Sequence, residues 1–379
     1  MGTERESEAD LFIASALAGR AAWPGGVAPA LVAERALYHG VSGLLADQVA
    51  AWPPEAAGPI RNAARSQAMW ELRHRYVLAD LLGALDDAGV RVLVLKGTAL
   101  AYDLYGRPAE RSRGDSDVLI EAADLPRARA VLEDRGFTHP KGDPGAIEQV
   151  RLQEAWIRDT PDGFAHEVDL HWSALNSQVL SDVISFADGW ARARPLPGLG
   201  PQARGLPLDL ALLLACAHRA QHVLNPYFVD GRAHYSGDRL IWLWDIHLLV
   251  GRLDPPGWEA FLRAVEGAGL AAVARRGLEA SARLLGTVLP PEAMARLADG
   301  PADGPVARYL LAGHRAERAL ADLRAARGTG GRLGYLWGQL FPPEEFMRGR
   351  YADGPERPLL VLHWRRIRGF LGSLSARRG

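Results

Sequence analysis

From residue 8 to 87, apolar side chains, mostly alanine and leucine, recur at three- and four-residue spacings among arginines. That period predicts helices with one buried stripe. Trp23-Pro24-Gly25-Gly26 and Trp52-Pro53-Pro54 interrupt it and predict breaks. The last of these helices, over 76–88, carries Val77, Leu78, Leu81, Leu82 and Leu85 and stops at Gly89. The period then changes. Residues 90–95 are short, β-branched and almost wholly apolar, which predicts a strand covered on both faces. Lys96-Gly97-Thr98 follows, then a short helix over 99–105. A second strand is expected over 115–121. Next comes a helix over 125–135, with Asp124 as its N-cap and Gly136 at its end. Two more strands, 153–158 and 165–172, flank the turn Thr160-Pro161-Asp162-Gly163.

The Pro/Gly-rich stretch 195–207 reads as a linker, and everything beyond it is helical again: 208–224, 239–253, 257–266, 271–285, 305–327 and 359–371. The expected fold class is α+β. A small mixed β-sheet core (75–194) is flanked by an N-terminal helical region (1–74) and, past the linker, a C-terminal helical domain (208–379). The longest apolar runs are too short to cross a bilayer and the N-terminus does not read as a signal peptide, so a cytoplasmic protein without membrane contact is expected.

Composition sharpens this picture at three points. Forty-four basic against 45 acidic residues leave a net charge of -1, which argues against a broadly cationic nucleic-acid coat. The single cysteine, Cys216, excludes an internal disulfide and a cysteine-built zinc site, and its apolar neighbours mark it as core. Only Lys96 and Lys141 are lysine. Arginine and alanine dominate, as a GC-rich bacterial coding bias would produce, and each lysine therefore stands out.

Asp115 and Asp117 lie two apart in a strand and so share a face. Alone, such a pair also fits a solvated turn. Held together, the two carboxylates repel unless a cation neutralises them, and Mg²⁺ suits carboxylates plus phosphates. On the strand 165–172, Glu167, Asp169 and His171 share one face. Asp169 offers a third carboxylate, able to complete a two-metal clamp or to accept a proton. Gly97 permits close backbone approach, and Thr98 with the helix-start amides could meet an anion, although the spacing is not that of a Walker A loop. Arg111 and Arg113 offer guanidinium forks that match phosphate. His218 and His222 stand four apart on a helix, a zinc pair without an evident third ligand. His218 is instead expected to pair with Asp245, whose apolar surroundings demand a partner.

In this order, Leu95-Lys96-Gly97, Arg111-x-x-Gly114-Asp115-x-Asp117-Val118-Leu119 and Val168-Asp169-Leu170-His171-Trp172 resemble the uncharacterised nucleotidyltransferase family of the DNA polymerase beta-like superfamily. The resemblance continues through His218, residues 239–246 and Leu340-Phe341-Pro342-Pro343 before Arg350-Tyr351, so it spans roughly residues 75–371. It implies a small mixed sheet in which three carboxylates bind two Mg²⁺ ions under an NTP triphosphate. By motif match, Asp115, Asp117 and Asp169 would be the metal ligands and catalytic residues, Asp169 activating the acceptor hydroxyl. Lys96, Gly97, Thr98, Arg111 and Arg113 would hold the nucleotide, ATP in the first instance. His171, His218 and Asp245 would line the substrate pocket. The superfamily's Gly-Ser or Gly-Gly turn is replaced here by Lys96-Gly97-Thr98, a variant this family shares. The expected reaction is Mg²⁺-dependent transfer of a nucleoside monophosphate, with release of pyrophosphate. The near-neutral charge favours a small-molecule, peptide or protein acceptor. A toxin-like transferase acting on tRNA and an inactive nucleotide-binding module are the alternatives, and the presence of all three carboxylates speaks against the second.

Overall fold

The computed structural model describes all residues except 1, 21–22, 24, 140–151, 162, 224–226, 230–231, 235–236, 301–303, 313–314, 327, 343, 345–346, 349–357 and 376–379. Lys141, Pro343 and the pair Arg350-Tyr351 fall outside the described residues.

The N-terminal apolar stripe folds into α1 (Gly2–Leu17), α2 (Pro29–His39), α3 (Ser42–Leu45) and α4 (Pro54–Asp87). Pro54 opens α4 at a position where its missing N–H goes unneeded. At 34 residues, α4 extends about 51 Å by the ordinary helical rise. Ala57 and Ile60 at its start pack with α1 to α3. Leu78, Leu81, Leu82 and Leu85 near its end pack on the sheet.

The sheet is assembled from β1 (Leu93–Val94), β2 (Asp115–Leu119), β3 (Gln153–Asp159), β4 (Ala165–His171), β5 (Arg194–Pro195) and β6 (Arg204–Gly205), in the order β3-β4-β2-β1-β6-β5. β2 runs parallel to β4 and β1 parallel to β6, while the remaining pairs are antiparallel. The class is therefore α+β with a mixed sheet. The stretch expected to be a linker is part of that sheet: Arg194 pairs with Gly205, and Gly205 with Val94. Pro195 is tolerated because β5 is an edge strand, where one ladder donor can be missing. Between strands lie α5 (Lys96–Asp103), α6 (Leu125–Asp134) and α7 (Phe186–Ala191). The helix after β1 thus starts at Lys96, three residues earlier than its apolar pattern indicates. Asp124 makes no side-chain cap on α6 and holds Arg127 instead.

β2 is anchored by Val118, Leu119 and Ile120, each 1% exposed or less. Full burial of such side chains is worth about 2 kcal/mol apiece, which fixes the strand whose entrance carries the acidic pair. Alternation splits the two faces. Val118, Ile120, Val168 and Leu170 join α4 and α6. Leu93, Leu95 and Leu119 join the core formed by α8 (Leu208–Val223), which the hairpin β7 (Tyr227–Val229) and β8 (Arg232–His234) follows, and by α9 (Leu240–Val250), α10 (Pro255–Ala268) and α11 (Ala271–Leu285). The chain ends in α12 (Pro291–Asp299), α13 (Pro305–Leu311), α14 (Arg315–Ala325), α15 (Gly328–Leu340) and α16 (Leu359–Ser375). The helix expected over 305–327 is therefore two. Among the described residues, no helix is long and apolar enough to cross a membrane.

Candidate active site

The parallel pairing of β2 with β4 sets Asp115 beside Glu167, Asp117 beside Asp169 and Leu119 beside His171. The alternating strand pattern turns all three aspartates toward the same face, the one that the C-terminal helices cover. Asp117, Asp169 and His171 each bring a ligand atom within 4.8 Å of the others. Gln153, across the β3–β4 ladder, donates its Nε2 to Asp169 Oδ2 at 2.9 Å. Nothing distinguishes Gln153 in the sequence beyond its place at the start of a strand.

Lys96 enters from the other side. Its Nζ lies 2.5 Å from Asp117 Oδ1, and the His171 Nε2 lies 2.8 Å from the same oxygen. Burial alone would lower the Lys96 ammonium, but Asp117, with Asp169 and Asp115, outweighs it and holds the group above its ordinary value. Burial would likewise raise the Asp117 carboxyl, yet Lys96 and His171 keep it well below the carboxylate range. The other two carboxyls go the opposite way. Burial and Asp117 raise Asp115, and burial with Asp117 and Asp115 pushes Asp169 up to about 8. Three carboxyls crowded into one partly closed site, one of them driven to keep its proton, fit a divalent cation. Oxygen donors in this number suit Mg²⁺ or Mn²⁺. His171, fully buried and bonded to Asp117, aims that carboxylate.

Lys96 is also the one non-glycine residue with positive φ among the described residues, at 47°. This left-handed conformation costs an L-residue about 1–2 kcal/mol and turns the chain from β1 directly into α5. Gly97 follows for a steric reason: a Cβ there would stand 3.3 Å from Cζ of Arg111.

The groups expected to grip a triphosphate are arranged differently. The Thr98 hydroxyl is buried, 2.7 Å from Ser116 Oγ, and accepts from Arg113 Nε at 3.0 Å. The Arg113 guanidinium is 3% exposed and pairs with Glu71 of α4 at 2.5 Å. Glu71 also accepts the Tyr102 hydroxyl at 2.5 Å. Arg111 is buried in a two-pronged pair with Asp245 of α9, Nη2 to Oδ2 at 2.8 Å. Thr98, Arg111 and Arg113 therefore brace the loop before β2 and do not form a cationic rim. Asp245 takes its partners from Arg111 and from the Tyr105 hydroxyl, at 2.6 Å, in place of the expected His218.

The His218 and His222 rings lie 4.5 Å apart, and each stands 5.7 Å from Trp242, His218 edge-on and His222 tilted. Among the described residues they join no three-ligand group, so the i, i+4 pair is an aromatic contact. Burial, with Lys96 nearby, keeps both rings neutral: His218 far below its ordinary value and His222 at about 4. Lys96, Arg111, His218, Trp242 and Asp245 line a cavity of about 40 Å³, room for a few waters rather than a nucleotide.

The sequence profile of the family described as uncharacterised nucleotidyltransferase matches residues 27–286. The chain belongs to this nucleotidyltransferase family. The match starts well ahead of the resemblance read from the motifs, taking in α2 to α4, and ends with α11, so the Leu340-Phe341-Pro342 pattern lies beyond it. Among curated proteins and among solved structures, nothing matches the chain. Family membership makes nucleotidyl transfer the general activity, and the aspartate cluster is a candidate metal site for that nucleotidyltransferase.

Proposed function

We propose that this nucleotidyltransferase moves a nucleoside monophosphate, AMP in the first instance, from an NTP to a hydroxyl or similar acceptor on a small molecule, peptide or protein. The support is the β2–β4 register, which sets Asp117 beside Asp169 on the face that also bears Asp115. These three would hold two Mg²⁺ ions, which when bound neutralise the triphosphate and polarise the reacting phosphoryl group. The acceptor oxygen attacks the α-phosphorus as the bond to the bridging oxygen breaks, and pyrophosphate leaves with that electron pair. Asp169 would take the acceptor's proton. Lys96 contributes charge toward the phosphates, and Gly97 keeps the backbone close. Catalysis then rests on positioning and charge neutralisation, without a covalent enzyme intermediate. The pairing of Arg111 and Arg113 with acidic partners supports a small or peptide acceptor, because neither offers a free cation to a polynucleotide. We place the reaction in the cytoplasm.

Pyrophosphate release from each of the four NTPs, measured with Mg²⁺ and an acceptor panel that includes tRNA, tests this reading. Wild type should release pyrophosphate and Asp115→Ala/Asp117→Ala should not. Equal release by both proteins, or none by either, overturns it.

A further inference from the structure

The strongest unassigned feature of the site is the ammonium already inside it. Lys96 Nζ sits at 2.5 Å on the carboxylate that clusters with Asp169 and His171, and its side chain is 18% exposed. The chain places a lysine here although it uses only two in 379 residues and supplies its other basic side chains as arginine. An arginine would grip a carboxylate with two parallel bonds, whereas a lysine holds it as a single point charge on a flexible stem. The backbone at Lys96 is held in the left-handed region, a conformation retained only where surrounding structure compels it. The lysine favours a contact that is strong yet releasable. Asp117 is nearly closed off, and among the described residues Lys96 is the one lysine or arginine bonded to it.

We infer that Lys96 is an internal counter-ion that occupies the cation position of the nucleotide-free site, so that a divalent metal must displace it from Asp117. This rests on the metal-dependent reading above. A cation sharing Asp117 with the ammonium meets a like charge at close range, so the two compete for the carboxylate. The displaced ammonium needs a new anion, and the triphosphate that arrives with the metal provides one. Metal and nucleotide are thereby coupled: each binds weakly alone and strengthens the other by the same factor. The device keeps Asp117 neutralised between turnovers and discourages loading by metal alone.

The test is calorimetric titration of Mn²⁺ into the full chain, with and without a non-hydrolysable ATP analogue. Lys96→Gln removes the competing charge, so it should bind Mn²⁺ at least tenfold more tightly than wild type without nucleotide. The gain in Mn²⁺ affinity caused by the analogue should shrink in the same variant. Lys96→Arg keeps the charge and should bind Mn²⁺ no more tightly than wild type. Unchanged or weaker Mn²⁺ binding by Lys96→Gln, while Asp117→Asn loses Mn²⁺, overturns the counter-ion role and leaves the metal-dependent reading standing. Absence of Mn²⁺ binding in every protein, with or without the analogue, overturns both. Should Lys96→Gln fail to fold in EDTA, recovery of its circular-dichroism spectrum on adding Mn²⁺ supports the role, and failure to recover opposes it.

Discussion

Ser116 Oγ stands 2.7 Å from His74 Nε2 on one side and 2.7 Å from Thr98 Oγ1 on the other. The residue between Asp115 and Asp117 is thus clasped from behind by α4 and α5, and the clasp continues through His166, 3.1 Å from the His74 ring. Ser116→Ala leaves two buried polar groups short of a partner, which costs about 1–3 kcal/mol. The midpoint of urea unfolding should fall accordingly, while Ser116→Thr, which keeps a hydroxyl, should fall less. In turnover assays the alanine variant should lose kcat more than KM, because the strand bearing the aspartates is what loosens.

Arg111 and Asp245 form a pair whose side chains are only 9% and 6% exposed. Removing one partner strands the other charge, and Arg111→Met should destabilise by about 3–5 kcal/mol. Adding Asp245→Leu removes the stranded carboxylate, so the double variant should be more stable than Arg111→Met alone. Denaturant unfolding of the three proteins measures this. A double variant less stable than the single one would mean that Asp245 acts chiefly through Tyr105.

Asp169, pushed up to about 8, binds a proton in the folded state that it releases in the unfolded chain. A raised folded pKa favours folding at low pH, and this contribution is lost as pH rises from the ordinary carboxylate range toward about 8. Asp169→Asn imitates the protonated form. In EDTA at pH 8 its melting temperature should exceed that of wild type, with transferase activity lost. Divalent metal should raise the wild-type melting temperature and leave that of the variant nearly unchanged.

The buried histidines act in the opposite sense. Burial, with Arg113 and His166 nearby, holds His74 at about 2, and burial with Lys96 holds His222 at about 4. Both take up protons near pH 6.5 once unfolded. Stability is therefore lost as pH falls below about 6.5, with a limiting slope of about 1.4 kcal/mol per pH unit for each such group. For His222 the loss levels off near about 4 and for His74 near about 2. His74→Gln should show a shallower acid slope in denaturant titrations between pH 4 and 6.

The strands and their acidic residues are legible because β2 runs from its acidic pair into the apolar Val118-Leu119-Ile120 and β4 alternates regularly. The face shared by Asp115 and Asp117 follows from the two-residue period alone. The register that brings Asp169 to Asp117 needs the fold. Arg111 and Arg113 misled for a related reason: their acidic partners, Asp245 and Glu71, sit on α9 and α4, far away in sequence. Nothing local reveals that both guanidiniums are spoken for. The hairpin of β5 and β6 is invisible in the sequence because two-residue strands carry no period, and its prolines and glycines read equally well as a tether. Lys96 did stand out, through rarity. Its bond to a carboxylate, in place of a free reach toward phosphate, became visible only with the distance in hand.

The parallel pairing of β2 and β4 also bears on how the molecule comes together. Parallel neighbours cannot be joined by a tight turn, so α6 and β3 lie between the two strands that carry Asp117 and Asp169. A pairing so distant in sequence costs more loop-closure entropy than the β3–β4 hairpin does. Asp169 meets Asp117 only when that pairing forms, so the repulsion between them belongs to the assembled sheet. Lys96, on the neighbouring β1–α5 turn, sits on Asp117 where that repulsion falls, so its ammonium offsets a cost that only the assembled sheet carries.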